Sequence, residues 1–376
     1  MNSQARHRKI FRNEIIPLNF TKLTIQHDSI GLTPQCMMGK QKIHWIVLGL
    51  ICLACQPARE IKTTGSIERL DPALDNIISS SAVIEIVSEG LEWSEGPLWV
   101  EDQKMLLFSD VPKNIVYQWT EEKGTEVYLT PSGWMGSDTG KFEGSNGLLL
   151  DDEGKLVLCQ HGDRRLARMV VALTSPKPEF ETLADKYEGK KFNSPNDAVF
   201  RGGDYFFTDP AYGLAKQMDD PRKEISFQGV YRRSVSGEVT LLVDSLTRPN
   251  GIAFSPNGDL FIANSDREKA RWYRYHVKST PVPEEDPAVT LSDGKVFYDA
   301  TALTATEKGL PDGMKIDSKG NIFASGPGGV FIFDAEGKLL GKIKLADATS
   351  NTALSADEKT LFVTNDMYVL RIKMRK

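Results

Sequence analysis

Six residues of this 376-residue chain share one chemistry. Glu95, Asn146, Asn196, Asn250, Asp312 and Asn351 each open a short, similar segment, and successive openings stand 51, 50, 54, 62 and 39 residues apart. Each side chain offers a carboxylate or amide oxygen, and no lysine, arginine or cysteine stands at any of the six. Brought together around an axis, they would form a hard, oxygen-only ring containing two carboxylates. Such a ring suits one divalent cation, Ca²⁺ first, with Mg²⁺, Mn²⁺ or Zn²⁺ as alternatives. Asn and Asp also open strands simply because they make turns, and for any single position that plainer reading is sufficient. Six aligned positions favour a metal.

The segments that must carry these residues read EGPLWVEDQKMLLFSD, NGLLLDDEGKLVLCQH, NDAVFRGGDYFFTDP, NGIAFSPNGDLFIANS, DGMKIDSKGNIFASG and NTALSADEKTLFVTN. Each has an apolar strand, a turn and a second apolar strand. The turns DDEG, RGGD, SPNG, DSKG and SADE have hairpin chemistry, and the second strands are rich in β-branched and aromatic residues. A third strand follows in each, from IVYQW at 115–119 to YVLRI at 368–372. Six such units at even spacing predict an all-β, six-bladed β-propeller, with the first strand of each blade lining a central channel. The last repeat has no room for a fourth strand after Lys373, and AVIEIV at 82–87 supplies one. The expected fold is therefore a propeller closed by an N-terminal strand in the last blade, over residues 81–376.

The preceding residues divide differently. Lys40 and Lys42 lead an apolar run from Trp45 to Ala54 that ends Cys52-Leu53-Ala54-Cys55. A basic stub, about ten apolar residues and a small-residue end make an export signal over 38–55. Its end resembles a bacterial lipobox with Cys52 where leucine is preferred, so Cys55 is the expected acylation site and the only membrane attachment. The expected location is periplasmic or cell-envelope, anchored at the outer membrane, with simple cleavage as the alternative. Residues 1–37 precede a signal that should begin a protein and read as a misassigned upstream extension. Residues 56–80 read as a polar tether.

The chain holds 46 basic and 51 acidic residues, and removing 1–54, with seven basic and two acidic residues, leaves a net charge of −10. That balance excludes nucleic-acid binding by phosphate neutralisation. Of four cysteines, Cys55 and Cys159 survive, so no disulfide is possible once Cys55 is acylated. His161 and His276 are the only histidines left. The sequence sets no oligomeric state.

Four motifs then carry a resemblance: Ser94-Glu95-Gly96-Pro97, Ser194-Pro195-Asn196-Asp197, Arg248-Pro249-Asn250-Gly251 and Pro311-Asp312-Gly313-Met314. Together, over about residues 83–374, the chain resembles the gluconolactonase/regucalcin (senescence marker protein)/luciferin-regenerating-enzyme family. The stretches from Cys159 to Arg165 and from Thr208 to Gly213 look like its bacterial gluconolactonase branch. The resemblance implies Ca²⁺-dependent hydrolysis of a small-molecule sugar lactone, such as glucono-1,5-lactone, to the aldonic acid. It implies Glu95, Asn250 and Asp312 as metal ligands and Asn196 as a fourth ligand or substrate contact. It implies Asp312 as the general base, or as an anchor for the ion alone.

Around that set, Asn146 is expected to line the channel and meet substrate, and Asn351 to line it without touching metal. His161 reads either as a rim histidine or as a contact to a substrate hydroxyl. Arg164 or Arg165 is expected to hold a substrate oxygen or to be surface charge. Trp134, Phe142 and Tyr212 read as sugar-stacking faces or loop packing, and Pro131–Gly144 as a lid-like loop. Cys159 reads as a buried filler and His276 as structural. Two other functions stay open: a metal-dependent esterase or organophosphate hydrolase on the same propeller, and a non-enzymatic, membrane-tethered binding propeller.

Overall fold

The second strands of the repeats are buried along their whole length, as in Met105–Asp110, Leu156–Gln160 and Thr360–Asn365. A strand covered on both faces must be apolar continuously rather than alternately, which is why LVLC, YFFT and LFVT carry no outward polar face. The turn before the second strand needs a residue with positive φ, supplied by Gly258 in SPNG (φ +96°) and Gly320 in DSKG (φ +89°).

The computed structural model describes residues 61–136, 144–281 and 286–375. The upstream extension, the export signal with Cys55, Phe142 and half of the lid-like loop lie outside these residues. Among the described residues there are six antiparallel sheets of four or five strands and one two-stranded hairpin. The first sheet runs Ser94–Val100, Met105–Asp110, Ile115–Thr120, Gly124–Leu129, and the next three repeat this order. Their innermost strands are Ser145–Leu150, Ala198–Arg201 and Pro249–Phe254, followed by Met314–Ile316 and Thr349–Leu354 in the last two blades. Six apolar clusters lie between neighbouring blades. One joins Leu107 and Val116 of blade 1 to Leu148 and Leu158 of blade 2, and another joins Phe362 and Val369 of blade 6 to Leu106 and Phe108 of blade 1. The core is thus a ring of wedges, each removing one blade's face from water against the next.

Two expectations are corrected. The propeller is not closed by hydrogen bonding: among the described residues every sheet is open. Ile84–Glu89 pairs with Tyr368–Lys373, with Glu85 opposite Arg371, and so adds a strand to the outer edge of the last sheet. That addition joins no sheet to another, because neighbouring blades meet through side-chain faces, which pack without forming a ladder. The expected tether is also structured where it is described. Ser66–Arg69 pairs with Leu339–Lys344 as a fifth strand of blade 5. The 3₁₀ turn Pro72–Asn76, capped by Asp71, then buries Leu74, with Ile78 just beyond it, in the wedge between blades 5 and 6. Its few apolar residues stand in a mostly polar segment without periodicity, so they give no local sign of packing.

Candidate active site

Inner strands begin, and second strands end, at the same end of the propeller. Two adjacent positions near the end of the second strands hold that end together in most blades. The first is small: Ser109, Cys159, Thr208, Ala263, Ser325 and Thr364. Its hydroxyls reach the next blade. Ser109 donates to the carbonyl of Asn146 (2.9 Å), Thr208 to that of Asn250 (2.7 Å) and Ser325 to that of Ser350 (2.8 Å). Ser350 continues the series to the carbonyl of Ser94 (2.6 Å).

The following position secures the entrance of its own blade. Asp110 accepts from the amides of Glu92 and Trp93, and Asp209 from those of Asn193 (2.8 Å) and Ser194 (2.7 Å). Asn264 accepts from the amide of Arg248 (2.9 Å), and Asn365 donates to the carbonyls of Asp347 and Ala348. The backbone around the opening residues is therefore held by buried and part-buried bonds on both sides. Such bonds are costly to leave unmade, which makes the ring rigid. This device was missed at the level of sequence. Its signal is the Ser/Thr at the penultimate position of the second strands.

These elements enclose a cavity of about 370 Å³ lined by Glu95, Asn146, His161, Asn196, Asn250 and Asp312, with Trp93 and Tyr212 among its walls. The structure thus brings Glu95, Asn146, His161, Asn196, Tyr212, Asn250 and Asp312 together at one cavity. Glu95 is 3% exposed, and burial pushes its carboxyl up to about 8, with the charge of Asp197 adding to the effect. The Gly96 amide and the Trp93 indole, whose Nε1 lies 3.4 Å from Oε1, oppose that rise. Asp312 is pushed well above the carboxylate range by burial first, then by Glu95 and Asp197, against hydrogen bonds from the Gly313 amide and Asn250. Burial also raises Asp197, whose Oδ1 accepts from the Ala198 amide (2.9 Å) and whose Oδ2 lies 3.5 Å from Asn351 Nδ2. Asp197 stands in the Ser194–Asp197 motif, but its part in this acid cluster shows only in three dimensions.

Several enclosed acids that oppose one another's ionisation form a site that a cation would relieve. Among the described residues no group of three or more His, Cys, Asp or Glu side chains is placed to hold a metal ion. The donor set is instead mixed, two carboxylates with amides, and one amide oxygen, Asn146 Oδ1, is buried without a hydrogen bond. Glu95, Asn196, Asn250 and Asp312 fit a hard divalent cation by donor chemistry.

The remaining expectations divide. Arg164 does not line the cavity. Its guanidinium donates to the carbonyls of Phe192, Asn193, Lys191 and Arg222, and its own backbone is left-handed (φ +58°). It binds two loops together. A long arginine following His161 looks like a substrate contact in one dimension, but the turn directs it sideways. Arg165 pairs with Asp163 and Gln160 instead of facing the cavity. Asn351 sits behind the lining, against Asp197. Trp134 is not among the lining residues; Trp93 is. Cys159 is fully buried and burial pushes its thiol well up, so it is no nucleophile. His276 lies outside the cavity, with Nδ1 3.0 Å from Asp259 Oδ1.

Comparison with known proteins places the chain in a family. Residues 93–366 match the SMP-30/Gluconolactonase/LRE-like region. A gluconolactonase of Zymomonas mobilis is 37% identical over 320 residues, covering 83% of this chain and 87% of that protein. A pentonolactonase of Haloferax volcanii is 27% identical, covering 75% and 84%. Among solved structures, a gluconolactonase of Xanthomonas campestris superposes with a TM-score of 0.70 at 27% identity, covering 85% of this chain and 99% of that one. The chain belongs to the SMP-30/gluconolactonase/LRE-like family.

Proposed function

We propose that this member of the SMP-30/gluconolactonase/LRE-like family is a lactone hydrolase, and specifically a divalent-metal-dependent enzyme that opens a sugar lactone such as glucono-1,5-lactone to its aldonic acid. The observation that carries the metal-dependent reading is the pair of enclosed acids, Glu95 and Asp312, facing one cavity beside amide oxygens. Similarity to a gluconolactonase and a pentonolactonase supports the choice of lactone.

Glu95, Asn250 and Asp312 would hold the ion, Ca²⁺ first, with Asn196 as a fourth ligand or a substrate contact. A bound divalent cation supplies positive charge that brings both carboxylates back to the ionised form and polarises a carbonyl oxygen. The chain's own residues do the rest. Asn146 and Asn196 present amides to the ring hydroxyls, and Trp93 and Tyr212 offer aromatic surface to the sugar. Tyr212 is held by its hydroxyl, which donates to the carbonyl of Ser265 (3.2 Å). A water oxygen bonds to the lactone carbon, the ring C–O bond breaks, and the former ring oxygen leaves as a hydroxyl. A carboxylate oxygen of Asp312 takes the proton that the water loses and passes it to the leaving ring oxygen. A sugar lactone is already activated, so this modest apparatus is sufficient.

The test is a pH-stat assay on glucono-1,5-lactone with and without EDTA, for the wild type and Asp312→Ala. Hydrolysis should stop in EDTA, return with Ca²⁺, and fall at least about a hundredfold in the variant. Chelator-insensitive turnover, or full activity in the variant, would falsify the metal-dependent reading.

A further inference from the structure

The mouth of the cavity carries a charge that lactone opening does not use. Besides its two acids, Arg267 is the one lysine or arginine among the lining residues. It sits beyond Leu260–Asp266, in the turn to the third strand of blade 4, and is anchored from two directions. Its Nη1 donates to the carbonyl of Thr304 (2.7 Å), and its own carbonyl accepts from Thr304 Oγ1 (3.2 Å). The guanidinium is thereby positioned while its remaining N–H groups stay available, and among the described residues it enters no ion pair. This distinguishes it from Arg164, Arg168 and Arg232, which are all spent on protein partners.

A second observation points to the same place. Gln217, also in the lining, holds φ at +48°. A non-glycine residue in the left-handed region is uncommon and costs about 1 kcal/mol or more, and such residues gather where a ligand is bound. Its amide N–H is tied to the carbonyl of Leu214 (2.8 Å), and its side chain is exposed.

We propose that Arg267 and Gln217 form a distal subsite that binds an anionic oxygen group, a carboxylate or a phosphate, on the substrate carbon farthest from the lactone carbonyl. The inference rests on the lactonase reading and narrows its substrate class to sugar lactones that bear an additional terminal anion. The cavity is polarised to match. Its acids Glu95 and Asp312 are the enclosed groups, whereas Gln217 and Arg267 are exposed, so a carbonyl held at the acids would leave a fork of N–H donors on the solvent side for a planar carboxylate or a phosphate.

The test compares kcat/KM, with Ca²⁺ present, for glucono-1,5-lactone, glucaro-1,4-lactone and 6-phosphoglucono-1,5-lactone. Wild type should favour one of the anionic lactones, and which one it favours tells carboxylate from phosphate. Arg267→Ala should bring the anionic-to-neutral ratio down by about ten- to a hundredfold, mainly through KM, and Arg267→Lys should restore it in part. Gln217→Ala should lower the same ratio by a smaller factor. Equal rates on all three lactones, or an unchanged ratio in Arg267→Ala, overturn the subsite. Calorimetric binding of glucarate, 6-phosphogluconate and gluconate reads the same subsite without turnover. If a preference for the acids bearing the second anionic group is lost in Arg267→Ala, the subsite stands even where no lactone is hydrolysed, and only the lactonase reading falls. Equal binding of all three acids by wild type sinks the subsite alone.

Discussion

Thr208 donates its hydroxyl to the main-chain carbonyl of Asn250 at 2.7 Å, so the second strand of blade 3 holds the residue that opens blade 4. Thr208 is fully buried, and the carbonyl would be left without this donor if the hydroxyl were removed. Thr208→Val should cost about 1–3 kcal/mol of stability and lower kcat/KM about tenfold by releasing Asn250. Thr208→Ser keeps the donor and should restore activity. A valine variant with unchanged kinetics would show that the bond has no part in placing the ligand.

Gly251 of blade 4 packs directly against the backbone of blade 5 at Asp312 and Gly313. A β-carbon there would come within 2.2 Å of the Asp312 carbonyl oxygen and 2.7 Å of the Gly313 Cα, both rigid backbone. Gly251→Ala should push the segment carrying Asp312 outward and reduce kcat/KM about a hundredfold, with the β-sheet circular dichroism retained. Chelator titration should show weaker metal retention in the same variant. Normal metal retention would mean that the blades yield elsewhere.

The strap before the first blade is part of the fold. Leu74 and Ile78 are fully buried between blades 5 and 6. Leu74→Ala should destabilise the protein by about 2–5 kcal/mol in urea unfolding, with little change in KM. A midpoint equal to that of wild type would return residues 61–80 to the status of a tether.

Stability should fall between mildly acidic and mildly alkaline pH. Burial raises the Asp209 carboxyl to about 8, although the amides of Asn193 and Ser194 favour its charged form. The unfolded chain loses this proton near pH 4, so between about 4 and 8 the folded state binds more protons and each pH unit removes up to about 1.4 kcal/mol. Glu95, also raised to about 8, acts in the same direction. In EDTA, the wild-type Tm should drop from pH 5 to pH 8, and Asp209→Asn should drop less steeply from a lower start. A variant whose slope matches wild type would remove Asp209 from this account.

Much of this protein was legible in its sequence because the information is local. Paired apolar strands, turn residues and third strands recur six times, and each blade's hairpins require no distant partner. The opening residues were legible for the same reason, since position within a blade decides which side chain faces the axis. The convergence of Glu95, Asn196, Asn250 and Asp312 on one cavity follows from the repeat. Three-dimensional structure decided what depends on residues far apart in the chain. The strap at Leu74 finds its partners in blades 5 and 6. Arg164 is turned onto four carbonyls and away from substrate, whereas Arg267, locally indistinguishable from it, is held at the mouth by Thr304. Asp197 becomes a third enclosed acid because Glu95 and Asp312 arrive from other blades. Sequence determined which groups this protein possesses and which face each of them takes. Packing determined which of those groups are spent on the fold and which remain for a ligand, because a buried donor or acceptor must be satisfied by whatever the tertiary structure brings to it.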